Sequence, residues 1–459
     1  MALLKSTGNK KVNLDFNKEF INTFSDKIEN GNIDFINQTL KNLHEADVAN
    51  LIENLNSNTR IKLIELEAFN INPEIFVELN ESIQSEVLQL LSIDSITEII
   101  RRLESDNVIK ILENLEKDIK DKVLEKLPPK DKFLFEEGLS YPEDSAARIM
   151  QREFTAVPSN WTVGQTIDYV REDKNLPEEF LEIFIVDNDF KPIGTVPSSR
   201  VLRTARELKM NSIMSEMPVL ISANMDQEEV GHTFENYNLV SAGVVNKDNK
   251  LVGMITADDV VTVVQEEAEE DVLRLAGVGD EEITDSVMLK TKRRFNWLLL
   301  NLFTALLATW VISNFGASIE QMVALAFLMP IVASMGGNAG MQTLAVTIRA
   351  IATKKLSKSN FNRVVGKEFL IGILNGLIFA IITGLIVQLW FKQLNLSLLI
   401  GVSMILNMIV AGLFGILVPV SLKKLNIDPA LASSVFVTTI TDVIGFLSFL
   451  GLGSYYFLN

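Results

Sequence analysis

The sequence has no cysteine and only two histidines, His44 and His232, among its 459 residues. Without cysteine the chain cannot form disulfides, thiolate zinc sites or a cysteine nucleophile, and two isolated histidines do not make a ligand set. The opening residues, MALLKSTGNKKVNLDF, lack the apolar stretch of a signal peptide, so we expect no secretory leader.

Negative charge is scarce in the last part of the chain and prevails in the first. The net charge is −17 at pH 7. Residues 1–290 carry 55 acidic and 30 basic residues, whereas residues 291–459 carry four acidic and twelve basic ones. Strong negative charge repels nucleic acid and attracts cations, so we expect no nucleic-acid partner. Solubility alone is the alternative explanation of the acidic part.

Long hydrophobic runs occur only in the basic part, and five are long enough to span a bilayer. Basic residues lie before the first run, between the second and third, and between the fourth and fifth. The loops on the opposite side have Lys392 as their only basic residue. The positive-inside rule then predicts a multi-pass protein of the cell (inner) membrane, with a cytoplasmic N-terminus and an extracytoplasmic C-terminus. The runs are 296–315, 321–348, 368–391, 396–422 and 429–457.

Asp442 is the only carboxylate near the middle of these runs. A charge at the bilayer centre costs roughly 2.5–3.5 kcal/mol on insertion scales, so such a residue persists where it faces water or a partner. We therefore expect Asp442 to lie on an ion path. The other polar candidates of the second and fifth runs are Asn338, Gln342, Thr438, Thr439 and Thr441.

The second run combines Pro330 with a GxxxG pattern, Gly336 and Gly340. Such glycines let helix backbones approach closely. We also expect Pro330 and Gly336 to interrupt the helix, because irregular backbone at this depth is typical of a pore wall. The scattered asparagines of other runs are interpreted as polar contacts between packed helices: Asn301, Asn375 and Asn407.

A single aspartate per chain is a poor cage for a cation. A two-fold axis would bring two copies of Asp442, and two of Asp428, along one path, so a symmetric homodimer is expected. Facing carboxylates with nearby hydroxyls suit a hard divalent cation. The residue types alone do not separate magnesium from calcium or manganese.

A twelve-residue leucine period organises residues 43–139 and is broken only at Glu67. Each unit is too short for a long helix and predicts a short helix plus a turn. Stacked units bury one apolar ridge and form a helical solenoid with acidic exposed faces. A passive spacer and a regulatory cation-binding surface are both compatible with this pattern.

A duplicated α/β unit follows, because LEIFIVDNDFKPIGTV and LVSAGVVNKDNKLVGMIT each contain two strand-like runs around a DN turn. The pair resembles tandem CBS domains. That resemblance implies an adenine nucleotide such as ATP at Gly253, Thr256 and Asp259 of GMITADD, although Asp259 could instead cap the next helix. The first copy has Pro197 and Arg200 at the matching positions, so a nucleotide is not expected there.

An acidic stretch precedes the membrane part and is predicted to be helical. Like charges at i,i+3 and i,i+4 disfavour a bare helix, so a bound cation or basic neighbours would relieve the repulsion. A solvated linker is the alternative. The residues are Glu266, Glu267, Glu269, Glu270 and Asp271.

The order of these parts, together with YPEDSAARIM, PIVASMGGNAGMQTLAVTIRA and IDPALASSVFVTTITDVIGF, resembles the MgtE family of magnesium transporters and channels. The resemblance covers essentially the whole chain. It implies a homodimeric Mg²⁺ channel that is lined by the second and fifth runs and closed by cytosolic Mg²⁺. Asp442 matches the pore aspartate and Asp428 the acidic residue at the cytoplasmic mouth, while Asn338 and Gln342 fall in the second-run motif.

Ser434 and Val435 stand where many members have Gly-Pro after DPALAS, which bears on fine pore geometry. Asp226 and Asp258 are further candidate Mg²⁺ ligands. A proton-coupled carrier of Mg²⁺, Mn²⁺ or Co²⁺ regulated by nucleotide is the alternative function, and no enzymatic activity is expected. The predicted fold is a multidomain membrane protein with an all-α superhelical N-domain (1–140), α/β tandem CBS domains (141–265), a connecting helix (266–290) and an α-helical transmembrane domain of five spans (291–459).

Overall fold

Two units, Met1–Gln265 and Glu266–Asn459, make up the structure, a computed structural model of the chain. The described residues are 16–67, 72–174, 176–177, 180–216, 219–278 and 287–458.

The twelve-residue period becomes one short helix per repeat, as predicted. Leu79, Leu91, Leu115 and Leu127 each stand directly after a helix with extended backbone, so the period marks the turns. The ridge between them forms one continuous buried core. The helices are α1 (Lys18–Glu29), α2 (Ile33–Lys41), α3 (Glu45–Glu53), α4 (Ser57–Glu67), α5 (Glu74–Glu78), α6 (Glu81–Leu90), α7 (Ile93–Ile100), α8 (Ser105–Asn114), α9 (Lys117–Lys126) and α10 (Pro129–Ser140).

Two three-stranded sheets with the same order occur in the described part of the first unit and confirm the predicted duplication. In each sheet the first strand pairs in parallel with the second, which pairs antiparallel with the third through one register shift. The first copy comprises β1 (Ala156–Pro158), α11 (Val163–Glu172), β2 (Glu182–Val186), β3 (Pro192–Pro197), α12 (Ser198–Arg203) and α13 (Met210–Ile213); the second comprises β4 (Ile221–Ser222), α14 (Gln227–Tyr237), β5 (Ser241–Val245) and β6 (Leu251–Thr256).

The acidic stretch before the membrane part does not form a helix of its own. It continues the helix that follows β6, so that α15 spans Ala257–Leu275. The helix ends just before Gly277, whose φ of +73° few other residues adopt. Of the predicted connecting segment 266–290, residues 266–275 belong to α15, residues 276–278 are not helical, and residues 287–290 begin the next helix. Residues 279–286 lie outside the described part of the chain.

Among the described residues of the second unit, five helices are long and apolar enough to cross a membrane, as predicted. α20 is the central one and packs against α18, α19 and α21, and fifteen of its residues are buried. Large apolar side chains cover the outer surface, such as Leu298, Trp310 and Leu389. The helices are α16 (Val287–Ser313), the short α17 (Gly316–Gln321), α18 (Ala324–Ala352), α19 (Phe361–Phe391), α20 (Leu394–Lys424) and α21 (Pro429–Leu458).

The expected interruption of α18 does not occur, and this part of the sequence interpretation is wrong. The helix continues through Pro330 and both glycines. The glycines serve packing instead, because a Cβ on Gly340 would lie 2.6 Å from Cγ1 of Val437 in α21. The pattern that suggested irregular backbone is thus explained by close approach between helices.

Candidate functional site

Asp442 lies half-buried in the middle of α21, inside the apolar window of that helix. Among the residues that the structure describes, its carboxylate has no hydrogen-bond or ion-pair partner. A carboxylate in this position is stable when it meets water, a cation or another copy of the chain. Within the described part of the chain, the Asp442 carboxylate is therefore available for an external partner.

The threonines near Asp442 satisfy their hydroxyl donors within α21. Thr438 donates to the Ser434 carbonyl at 2.9 Å, and Thr439 donates to the Val435 carbonyl at 2.6 Å. Thr441 donates to the Thr438 carbonyl at 2.9 Å and is fully buried. Thr438 and Thr439 are half-buried. Only their oxygen lone pairs remain for an ion or its waters, and the burial of Thr441 favours a packing role.

Asn338 and Gln342 stand one turn apart on an exposed face of α18. Gln342 lines a cavity of about 170 Å³ together with Thr343 of α18 and with Glu368 and Asn375 of α19. Inside it, the Thr343 hydroxyl donates to the Glu368 carboxylate at 3.0 Å. Sequence reasoning gave Glu368 no role, although its signal was visible as an acidic residue a few positions into a spanning helix.

Asp428 stands directly before α21, and its carboxylate accepts a hydrogen bond from the Ala430 N–H at 2.8 Å. It also forms an ion pair with Arg274 at the end of α15, which pairs with Glu270 as well. Sequence reasoning missed Arg274. Arg274 therefore places a positive charge between the acidic stretch of α15 and the start of α21.

The last turn of α15 packs on the same end of the membrane bundle. Leu275 contacts a cluster that includes Ala430 and Val437. Gly277 fits beside α16, because a Cβ there would lie 1.6 Å from the Trp297 indole nitrogen. Partial burial, and then the charge of Asp428, raise the pKa of Asp271.

The remaining acidic residues of α15 precede this contact. Glu266 and Glu269 are exposed and Glu267 is half-buried, and all three take part in interactions within the structure.

A carboxylate cluster that the sequence did not reveal lies in the first unit. The Gln151 side-chain amide donates to Glu104 at 3.1 Å and to Asp259 at 3.3 Å, so one amide bridges two acids. Burial, and secondarily the charge of Asp259, raise the pKa of Asp106 to about 7. Its Oδ1 atom is buried and has no hydrogen-bond partner among the described residues. Burial followed by the charge of Glu153 also raises the pKa of Glu104.

The described residues contain no group of three or more acidic or histidine side chains already arranged to hold a metal. In the cluster, the Gln151 amide stands between the acids. The set nevertheless has the chemistry of a hard-cation site, since it offers carboxylate oxygens and the unpaired Asp106 atom. Of the two other predicted ligands, Asp258 is exposed and adds to the raised pKa of Glu104, whereas Asp226 is exposed and caps α14 through the Glu228 N–H at 2.9 Å.

Two residues of the nucleotide motif in the second α/β copy are hydrogen-bonded to each other. The Thr256 hydroxyl donates to Asp259 at 2.5 Å. Gly253 allows a close approach, because a Cβ there would lie 2.9 Å from the Gln151 carbonyl oxygen. In the first copy, Arg200 occupies the motif and donates to the Ile213 carbonyl at 2.9 Å. Burial raises the pKa of Asp259.

These parts define a class: a multi-pass membrane protein that carries a helical-repeat domain and CBS domains. A family model described as "Divalent cation transporter" matches residues 329–452, one described as "MgtE intracellular N domain" matches 43–144, and a CBS domain model matches 210–266. The magnesium transporter MgtE of Bacillus subtilis (strain 168) is 31% identical over 317 residues, which cover 69% of this chain and 70% of that protein. The chain belongs to the MgtE family.

A further relative and a solved structure are also similar to this chain. The magnesium transporter MgtE of Thermus thermophilus is 30% identical over 330 residues, which are 71% of this chain and 73% of that protein. A solved cytosolic domain of the Mg²⁺ channel MgtE in complex with ATP is 24% identical and covers 53% of this chain and 99% of its own, with a TM-score of 0.49.

The raised pKa of Asp106 predicts a pH dependence of local stability. Its ordinary value is 3.8 and its folded value about 7, so the folded state binds the extra proton between these values. Stability contributed by this group is therefore complete below about pH 4 and falls as pH rises to about 7, at roughly 1.4 kcal/mol per pKa unit. In Asp106→Asn this decline should be absent. Hydrogen exchange of α8 in the full chain with chelator, from pH 5 to 8, measures it.

Asp118→Asn changes an aspartate of the neighbouring α9 that is exposed and serves as the matched control. It should keep the wild-type slope of α8 protection against pH. An Asp106→Asn slope equal to that of wild type would contradict the assignment.

Proposed function

We propose that this protein is a magnesium-selective channel that passes Mg²⁺ into the cytoplasm along Asp442. The observation that carries the proposal is the half-buried Asp442 carboxylate, which has no partner among the described residues of its own chain. Mg²⁺ gives up its waters reluctantly, so a carboxylate site that holds the hydrated ion discriminates by the size of that shell. The named relatives are magnesium transporters, which supports Mg²⁺ as the cargo.

The active form is proposed to be a symmetric homodimer in the cell membrane. Two facing copies of Asp442 would provide the charge that a divalent ion needs, and the exposed face of α18 with Asn338 would contribute amide oxygens. The loops with many basic residues would lie in the cytoplasm, together with the acidic unit that precedes α16.

Closure is proposed to follow from cytosolic Mg²⁺ bound to carboxylates that otherwise repel one another. Glu104, Asp106 and Asp259 supply such a set, and the buried Oδ1 of Asp106 has no hydrogen-bond partner in the described part of the chain. The contact of α15 with α21 through Arg274 and Asp428 offers a direct connection from the acidic helix to the start of the ion path. The differential binding free energies of several bound ions need to add up to roughly 5.5 kcal/mol to switch the population fully from open to closed.

An adenine nucleotide such as ATP is proposed to bind the second CBS copy at Gly253, Thr256 and Asp259. Thr256 and Asp259 are already joined at 2.5 Å. The hydroxyl would turn from the carboxylate to a phosphate, and the carboxylate would accept hydrogen bonds from ribose hydroxyls. Because Asp259 also belongs to the acidic cluster, nucleotide and Mg²⁺ would influence each other there.

The Asp442→Asn variant keeps the size of the side chain and removes its charge. Mg²⁺ uptake into liposomes that contain equal amounts of folded protein should fall at least about tenfold, because the ion loses its charged ligand at low dielectric. A fluorescent Mg²⁺ indicator inside the liposomes measures the rate.

Glu320→Gln is the matched control, since Glu320 is an exposed acidic residue of α17. It should conduct as wild type does. Wild-type rates in Asp442→Asn would contradict the pore assignment. Uptake that saturates and dissipates an imposed pH gradient would favour the proton-coupled carrier instead.

Neutralising the acidic cluster should weaken closure without blocking conduction. In Glu104→Gln/Asp106→Asn the concentration of cytosolic-side Mg²⁺ that halves the flux should rise at least about fivefold, because fewer carboxylates favour the Mg²⁺-bound form. Patch recordings with varied Mg²⁺ on that side measure it.

Glu98→Gln alters an exposed carboxylate of α7 and is the control for general charge effects. Its half-closing concentration should match wild type. If the double variant also matched wild type, this cluster would have no part in closure.

The nucleotide proposal predicts that Asp259→Asn weakens ATP binding at least about tenfold, because an amide replaces the acceptor of two ribose hydroxyls. Titration calorimetry of the full chain with ATP measures the dissociation constant. Asp248→Asn, in the exposed turn before β6, is the control and should bind as wild type does. Equal binding by both variants would remove Asp259 from the nucleotide site.

A further inference from the structure

Asn407 of α20 occupies a different environment from the other two asparagines that the sequence groups with it. Its side chain is fully buried, whereas Asn375 is exposed and Asn301 half-buried. Its amide nitrogen donates to the Val332 carbonyl oxygen of α18 at 2.9 Å. That carbonyl can only accept, so the hydrogen bond fixes which end of the amide faces α18.

Two helices present a glycine to this one amide. A Cβ on Gly336 of α18 would lie 2.1 Å from the Asn407 amide nitrogen, and one on Gly445 of α21 would lie 2.8 Å from the same atom. No other side chain fits at either glycine unless Asn407 moves. The amide of Asn407 therefore fills the junction of α18, α20 and α21.

The carbonyl oxygen of the same amide, Oδ1, is buried without a hydrogen-bond partner among the described residues. An unsatisfied buried acceptor is costly, and an apolar side chain of similar size would fill the space without it. Packing alone therefore does not account for an amide at this position. The hydrogen bond of Asn407 to α18, together with its close contact with Gly445 of α21, accounts for an amide at this position.

We infer that Asn407 is a positioning residue that sets the separation of α18 and α21 beside Asp442. Gly445 follows Asp442 by less than one helical turn, and Gly336 precedes Asn338 by two residues. A change in the amide contact would shift both candidate pore faces against each other. If the proposed function holds, Asn407 also affects ion selectivity, because the separation of the two helices sets which size of hydrated ion fits the path.

The first test compares uptake of Ca²⁺ and Mg²⁺ by the same liposomes for wild type, Asn407→Ala and Asn301→Ala. The Ca²⁺ to Mg²⁺ ratio should rise at least about threefold in Asn407→Ala, since selectivity is a difference between two ions. It should stay at the wild-type value in Asn301→Ala. A purely structural role would lower both fluxes by the same factor, and an unchanged ratio would overturn the consequence for selectivity.

A second test uses the glycine contact. Gly336→Ala should impair Mg²⁺ uptake in the wild-type background and recover part of it when combined with Asn407→Ala, because the shorter side chain removes the 2.1 Å clash. Gly337→Ala is the matched control, since the nearest atom to a Cβ there is 4.0 Å away. Additive defects in the double variant would contradict the geometry.

The absence of cysteine allows a third test that needs no ion flux. A cysteine pair made by Gly340→Cys and Val437→Cys joins α18 to α21 where they touch. Its disulfide should form more slowly in Asn407→Ala than with Asn407 present, and equal rates would overturn the positioning role. If wild type carried no Mg²⁺, the proposed function would fail, and these rates would still decide whether Asn407 positions the two helices.

Discussion

A carboxylate that is removed from water requires a positive charge, a proton or a hydrogen bond, and the arrangement of this protein follows from that requirement. Asp428 and Glu270 both form ion pairs with Arg274 of the same chain. Asp106 receives a proton up to about pH 7. Asp442 has no hydrogen-bond or ion-pair partner among the described residues of its own chain, and the conducted ion is its proposed partner.

Close packing of the membrane helices keeps Asp442 in that position. Glycines of α18 leave room for side chains of the neighbouring helices, and the Asn407 amide fills a junction of α18, α20 and α21. In a bilayer, such fits and polar contacts provide the association energy that apolar surface cannot. These glycines therefore serve the close packing of α18 against α20 and α21.

Sequence patterns predicted the elements and missed the contacts between them. The twelve-residue period, the repeated DN turns and the five apolar runs are local, so helices, sheets and spans could be read from them. Arg274 with Asp428, and Gln151 between Glu104 and Asp259, join residues far apart in sequence, which no periodicity encodes. The predicted break at Pro330 was wrong because a membrane helix can tolerate a proline when neighbouring helices support it.

Two copies of Asp442 are proposed to hold a hydrated Mg²⁺ between them. The deciding measurement is an experimental structure of the full chain in a lipid bilayer with Mg²⁺, for wild type and for Asp442→Asn. We expect an ion peak on the two-fold axis of the wild type, within reach of both carboxylates through water, and no such peak in the variant. Copies that meet through other helices, with Asp442 facing lipid and no ion nearby, would rule out this arrangement.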